Sequence, residues 1–171
     1  MKLYKLLLPT LCCLHLTAST LPKNTTILHD LMKIDGCARL SDLKFPKMKI
    51  HGHIDAYNCQ FDVLDASGFL RLINSRINES AVCHGELNLS DSICAKIFAT
   101  TSLIVLENTH IDELVVEELV IKNKKTRPPK IILKGNSSIG NVTFTKMAGS
   151  IILKNVNAQV GSVKNGTILP Q

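Results

Sequence analysis

Tryptophan is absent from this 171-residue chain, and aromatic residues make up only 4% of it. A conventional globular core of this size is anchored by large rings, so their scarcity points to a thin fold in which Ile, Leu and Val pack in rows. Also missing are Gly-x-Ser-x-Gly, His-Glu-x-x-His, a phosphate-binding loop and a dinucleotide fingerprint, which removes the hydrolase, zincin and nucleotide-enzyme classes those motifs mark. The longest apolar stretch, Leu6 to Leu16, is interrupted by Pro9, Thr10 and His15. At about 1.5 Å per residue it falls well short of a hydrocarbon layer about 30 Å thick, so no membrane span is expected.

What is present begins with an address. Met1-Lys2-Leu3-Tyr4-Lys5 is basic, the apolar stretch follows, and Thr17-Ala18-Ser19 supplies small residues for a signal peptidase. Residues 1–19 therefore read as a secretory signal, with a periplasmic, outer-envelope or secreted destination. Lipidation at Cys12 or Cys13 is rejected, because Leu11 is too large for the usual cleavage site. Loss of Lys2 and Lys5 lowers the formal charge from +6 to +4, which is only mildly basic. Four cysteines remain, Cys37, Cys59, Cys83 and Cys94. An even number in an exported chain suggests at least one disulfide, with the pairing open.

The apolar content of 45% excludes wholesale disorder and fits one domain. Its organisation is an irregular repeat: a small polar pair, one residue, a branched apolar residue, and usually another apolar residue three further on. Copies start at Asn58-Cys59-Gln60-Phe61, Asn74-Ser75-Arg76-Ile77, Ser90-Asp91-Ser92-Ile93, Asn108-Thr109-His110-Ile111, Asn136-Ser137-Ser138-Ile139 and Asn157-Ala158-Gln159-Val160, at steps of 16, 16, 18, 28 and 21 residues. Short apolar strands such as Phe69-Leu70-Arg71-Leu72, Leu103-Ile104-Val105-Leu106 and Ser150-Ile151-Ile152-Leu153 precede the copies. Units of this size are stable only when stacked on neighbours.

The expected fold is therefore all-β, a single-stranded parallel β-helix (β-solenoid) of about six coils and roughly triangular section over residues 49–171. A right-handed winding is favoured because crossover connections prefer it. Gly52, Gly68, Gly85, Gly135, Gly140, Gly149, Gly161 and Gly166 are placed at corners. Ser80 stands where an apolar residue is due, which predicts a register shift or bulge. Residues 20–48 read as an N-terminal cap, with Ile27, Leu28, Leu31, Met32 and Ile34 at near-helical spacing. The last coil has no equivalent cover, so self-association through terminal coils is plausible.

The string Ile131-Ile132-Leu133-Lys134-Gly135-Asn136-Ser137-Ser138-Ile139-Gly140-Asn141-Val142-Thr143-Phe144, followed by Gly149-Ser150-Ile151 and Val160-Gly161-Ser162-Val163, resembles small exported β-solenoid proteins of intracellular gammaproteobacteria, whose coils repeat Ser-x-Ile-x-Gly-x-Val. The likeness runs from about Ile50 to Leu169. More distantly the coils are similar to bactofilins, which are cytoplasmic polymer-forming solenoids. The resemblance implies a fold and an envelope location, and carries no catalytic residues.

The most distinctive binding candidate is the basic segment at 122–130, with Lys122, Lys124, Lys125, Arg127 and Lys130; its two prolines should make it project from the coils. A solvated loop opposite Asp112, Glu113, Glu117 and Glu118 is its plainer reading. A protein or glycan partner is expected, whereas nucleic acid is not, because no aromatics interleave with the basic residues. Asp55, Asp62 and Asp65 are the nearest approach to a carbohydrate-enzyme acid cluster and are better explained as corner and surface residues. His51 and His53 have a spacing that puts two imidazoles on one strand face, with His84 or Cys59 as neighbours from other coils; unpaired surface histidines are the better account, and no metal or cofactor is expected. His29 and His110 lack partners by spacing. Asn-x-Ser/Thr sequons begin at Asn24, Asn78, Asn88, Asn136, Asn141 and Asn165. The expected function is that of an exported, non-enzymatic structural or interaction module, with a carbohydrate-active β-helix enzyme and a self-assembling filament as alternatives.

Overall fold

One turn of the chain explains the rest. Between Cys59 and Asn74 the inward side chains come in pairs two residues apart, Cys59 and Phe61, Leu64 and Ala66, Leu70 and Leu72, all buried. Within a pair the spacing is that of a strand, whose alternate side chains share one face. Between pairs the alternation breaks at Asp62-Val63, at Gly68 and at Asn74, and the backbone turns a corner. Each turn thus has three short sides, referred to below as first, second and third in chain order.

The computed structural model describes residues 14–17, 31–120 and 126–170. It is all-β, built from β1 (Leu14–Thr17), β2 (Leu31–Ser41), β3 (Lys44–Tyr57), β4 (Gln60–Ile73), β5 (Arg76–Ser90), β6 (Ile93–Thr100), β7 (Leu103–Glu107), β8 (His110–Glu117), β9 (Lys130–Lys134), β10 (Ser138–Phe144), β11 (Gly149–Leu153), β12 (Gln159–Lys164) and β13 (Gly166–Pro170). Every strand pair is parallel, and strands stack in chain order as β1-β2-β3-β4-β5-β6-β8-β10-β12, with β7, β9, β11 and β13 continuing the third side beneath β5. This is a parallel β-solenoid of about eight turns, more than the six expected.

The additional turns lie at the N-terminal end. Leu31–Ser41 pairs in register with Lys47–Tyr57, and Lys44–Tyr57 with Gln60–Ile73. The solenoid therefore starts before residue 49, and Leu31 to Ile34 are strand rather than the helix their spacing suggests; residues 20–30 lie outside the described residues. β1 falls inside the expected signal segment and pairs with Ala38–Ser41.

Three stacked columns set the corners. At the second corner Gly36, Gly52, Gly68 and Gly85 lie one above another with φ of 108°, 139°, 124° and 136°. A Cβ on Gly68 would lie 2.0 Å from the carbonyl oxygen of Gly52, so both conformation and contact demand glycine. The third corner is held by Asp42, Asn58, Asn74, Asp91 and Asn108, all at positive φ between 47° and 57°, a region that Asn and Asp tolerate better than other side chains. Their side chains form a ladder outside the coil: Asn58 Nδ2 donates to Asp42 Oδ1 at 3.1 Å, Asn74 Nδ2 to Asn58 Oδ1 at 2.7 Å, and Asn108 Nδ2 to Asp91 Oδ1 at 3.1 Å.

Just inside that ladder runs a second, buried one. Ser75, Ser92, Thr109 and Ser137 each accept a hydrogen bond from the backbone N–H of the preceding turn at 3.0 to 3.4 Å, starting with Cys59 N–H to Ser75 Oγ. Each hydroxyl then donates to a carbonyl two or three residues back in its own chain, as Ser92 Oγ does to Ser90 O at 2.7 Å. The small polar pair of the repeat is thus one outer rung and one inner rung, which satisfies corner amides that the strand ladders do not reach.

The register refines the repeat in one place. Arg76 pairs with Ile93 and Ile77 with Cys94, so the third copy starts at Asp91, not Ser90. Cys94 points inward and is fully buried, whereas Ile93 is 47% exposed. Steps between successive corners are accordingly 16, 17, 17, 28 and 21 residues from Asn58 onward. The irregularity expected at Ser80 is present: the pairing of β5 with both neighbours shifts between Ile77 and Ala81. Gly140 and Gly161 lie within β10 and β12, at the break between first and second sides, where a Cβ on Gly161 would lie 2.4 Å from Gly140 O. The 28-residue step leaves the ladder after Glu117 and rejoins it at Lys130, and residues 126–129 belong to no strand.

Candidate functional site

With the interior filled by stacked apolar side chains, chemistry on this fold is confined to the outward rows, where each residue sits directly over its counterpart in the next turn. On most of these rows the polar side chains are engaged between turns. Lys49 donates to Asp65 at 2.7 Å, Lys96 to Glu113 at 2.8 Å, Asn78 to Asp62 at 2.7 Å and Ser162 to Asn141 at 2.6 Å. Lys146 binds Glu117, and that hydrogen bond raises the lysine above its usual range. These contacts fasten one turn to the next.

The third side is furnished differently. Its outward rows run Cys37, His53, Phe69, Glu86 and Leu103, and beside them Arg39, Asp55, Arg71, Asn88 and Val105. The N-terminal part is tied up: Asp55 lies between Arg39 at 3.7 Å and His53 at 3.5 Å, and the His53 ring stacks on Phe69 with centroids 4.4 Å apart. Beyond Phe69 a shallow cleft opens, lined by Arg71, Asn88, Ser90, Val105, Glu107 and Lys134. Arg71, Asn88, Glu107 and Lys134 make no side-chain hydrogen bond or ion pair with another described residue.

The residues singled out from sequence are scattered. Lys122, Lys124 and Lys125 lie outside the described residues; Arg127 is exposed ahead of β9, and Lys130 is the first residue of β9, paired in the ladder with Leu103 and Ser150. Asp55, Asp62 and Asp65 do not converge, for Asp55 is on the third side, Asp62 at the first corner and Asp65 on the second side, each with its own partner. His51 and His53 are separated by the Gly52 corner; His51 sits between Asp35 and Ser67, His53 between Cys37 and Phe69. His84 lies in the His51 row with Ser67 between them. His110, expected to be alone, has two partners, Ser138 Oγ at 2.6 Å and Asp112 at 2.9 Å. His29 is outside the described residues.

The four cysteines among the described residues are all free, contrary to the disulfide expectation. Cys59, Cys83 and Cys94 point inward in three different columns, and Cys37 is the one of these four that is exposed. Burial raises all three inward thiols, Cys83 and Cys94 to about 12, which keeps them protonated and poorly nucleophilic. Among the sequon asparagines, Asn78, Asn136, Asn141 and Asn165 have side chains engaged with neighbouring turns, and Asn88 does not.

Comparison with protein-family models, curated proteins and solved structures returned no match. The outward rows themselves therefore supply the functional argument. Phe69, Arg71, Asn88, Glu107 and Lys134 were missed in the sequence, where 17 to 27 residues of chain separate the successive rungs they occupy.

Proposed function

We propose that this protein is an exported, non-enzymatic interaction module that presents a face of its β-solenoid to a protein or glycan. The observation that carries this reading is the in-register stacking of outward side chains on parallel ladders. Such a surface is flat and fixed in spacing, and its side chains vary without disturbing the core. The basic start, apolar stretch and small residues of positions 1–19, and the likeness to exported solenoids, support the location. Asp55, Asp62 and Asp65, each engaged separately, give no support to a carbohydrate-cleaving pair. Photo-crosslinking residues at Arg76, Lys96 and Asn88, one per side, test the reading in the producing cell. Crosslinks from one side only are expected, and silence from all three would refute it. The segment 122–130 is tested by neutralising Lys124, Lys125 and Arg127; binding that neither weakens nor loses its salt dependence counts against that loop.

A second reading, self-assembly, is favoured by the last described turn, where Ile168 is 41% exposed although it continues the inward column of Ile151. Removal of residues 1–19 would also take β1 off Ala38–Ser41 and bare a parallel edge at the other end. Light scattering across concentration separates the readings: growth to large species supports assembly, and a constant mass of one chain supports the capped module.

A further inference from the structure

The cleft beyond Phe69 combines three features that occur together nowhere else among the described residues. An aromatic ring with one face covered by His53 borders it. Four polar side chains around it, Arg71, Asn88, Glu107 and Lys134, have no partner among the described residues, although equivalent outward groups on the second side are bonded between turns. Among the charged residues that line the cleft, Glu107 and Lys134 are ladder neighbours of opposite charge, which leaves Arg71 as the cation without a counter-charge; Glu86, the ladder neighbour of Phe69, lies outside that lining. Its nearest carboxylate in the row, Asp55, is already taken by Arg39 and His53.

We propose that this cleft is a subsite for an acidic sugar, whose ring lies on the face of Phe69 turned away from His53 and whose carboxylate is held by Arg71. The assignment rests on the interaction-module reading and names its ligand. A pyranose has one face made of C–H groups, which sheds water against a flat ring while its edge keeps hydroxyls that need polar partners. Planar amide and carboxylate groups such as Asn88 and Glu107 match adjacent hydroxyls, one donating and accepting, the other accepting only. A guanidinium is the side chain whose forked donors fit a carboxylate in two parallel hydrogen bonds. A protein partner would be expected to anchor a large side chain in a deep apolar pocket, and this cleft is shallow and polar. The flat ladder continues on both sides of it, so a chain end or an internal sugar of a longer polymer has room to lie across the turns.

The purified protein is titrated with trigalacturonate and sialyllactose, and with the neutral maltotriose and lactose, by protein-observed NMR. Phe69→Ala, Arg71→Met and, on the second side, Lys96→Met are titrated in parallel after their melting curves confirm folding. The expected result is binding of at least one acidic sugar, weakened about tenfold or more by Arg71→Met and by Phe69→Ala, unchanged by Lys96→Met, and stronger than that of the neutral sugars. If Phe69→Ala fails to fold, Arg71→Met decides, because that exposed side chain has no hydrogen bond or ion pair with a described residue to lose. Equal binding of neutral sugars, indifference to Arg71→Met, or no binding of either acidic sugar overturns the proposal. Binding lost only on Lys96→Met removes this site yet keeps the module, whereas silence of all three crosslinking positions removes the module itself.

Discussion

The outer corner ladder has one broken rung, and its repair is predictable. Asn74 donates upward to Asn58, leaving its Oδ1 facing the next turn, where Asp91 stands. Asp91 accepts from Asn108 below and, as a carboxylate, has no proton to offer upward, so two acceptors face each other. Asp91→Asn places an amide there: its Oδ1 still accepts from Asn108, and its Nδ2 reaches the Asn74 oxygen. The backbone at φ 49° suits Asn at least as well as Asp. One added amide–carbonyl hydrogen bond contributes about 0.5–1.5 kcal/mol, and the exposed corner argues for the lower half of that range. For a chain of this size the gain corresponds to a rise of roughly 1–4 °C in the melting temperature, read by circular dichroism at low and high salt. The reverse change, Asn58→Asp, loses the donor to Asp42 and sets two carboxylates face to face, so it lowers the melting temperature, most at low salt. An unchanged or lower melting temperature in Asp91→Asn would refute the account of the ladder.

Gly68→Ala combines a positive φ with a clash against the Gly52 carbonyl and should cost about 3 kcal/mol or more, seen as a large drop in the urea midpoint; a midpoint near that of the wild type would refute the close stacking. Ser92→Ala strips the buried acceptor from the Ser75 N–H and should cost about 1–3 kcal/mol, while the exposed neighbour Ile93→Ser costs far less; equal effects would show that the inner ladder is not stabilising. Among residues 31–171, a thiol reagent at pH 8 should label Cys37 quickly in the native state and Cys59, Cys83 and Cys94 only on unfolding. The raised thiols also fix a pH dependence. Between the unfolded value of 9.0 and about 12 the unfolded chain releases protons that the folded chain keeps, so stability is full below pH 9 and falls as pH rises through that window. Cys83→Ala with Cys94→Ala should flatten the fall, and a slope unchanged in the double variant would count against burial as its cause.

The interior was legible in sequence because it is written in pairs. Ile131 and Leu133, or Ile139 and Val142, show the two-residue spacing within a side and the three-residue step over a corner. The same arithmetic misled at the N-terminal end. Met32, Ile34, Ala38 and Leu40 are two pairs around the Gly36 corner, and pairs separated by corners produce spacings of two and four that imitate a helix. The third copy slipped by one residue because Ser90, Asp91 and Ser92 all resemble a corner and Ile93 resembles a core residue, whereas the smaller Cys94 fills the interior. Cysteine suggested disulfides by count, yet columns separate the inward thiols, which pack as small apolar groups. The cleft was illegible for a different reason: a row such as Arg71, Asn88 and Val105 exists only once the turn lengths are known.

The ladder bonds of the solenoid all run along its axis, and the first and last turns lie at opposite ends. Tension applied between the two ends therefore loads those bonds head-on and peels off one turn at a time, instead of shearing many rungs together. At about 3.5 Å of contour per residue, a 17-residue turn releases roughly 60 Å and the 28-residue turn roughly 100 Å. Stretched, the molecule behaves as a serial extensible tether whose weakest end turn yields first, with the long release marking the position of the inserted loop.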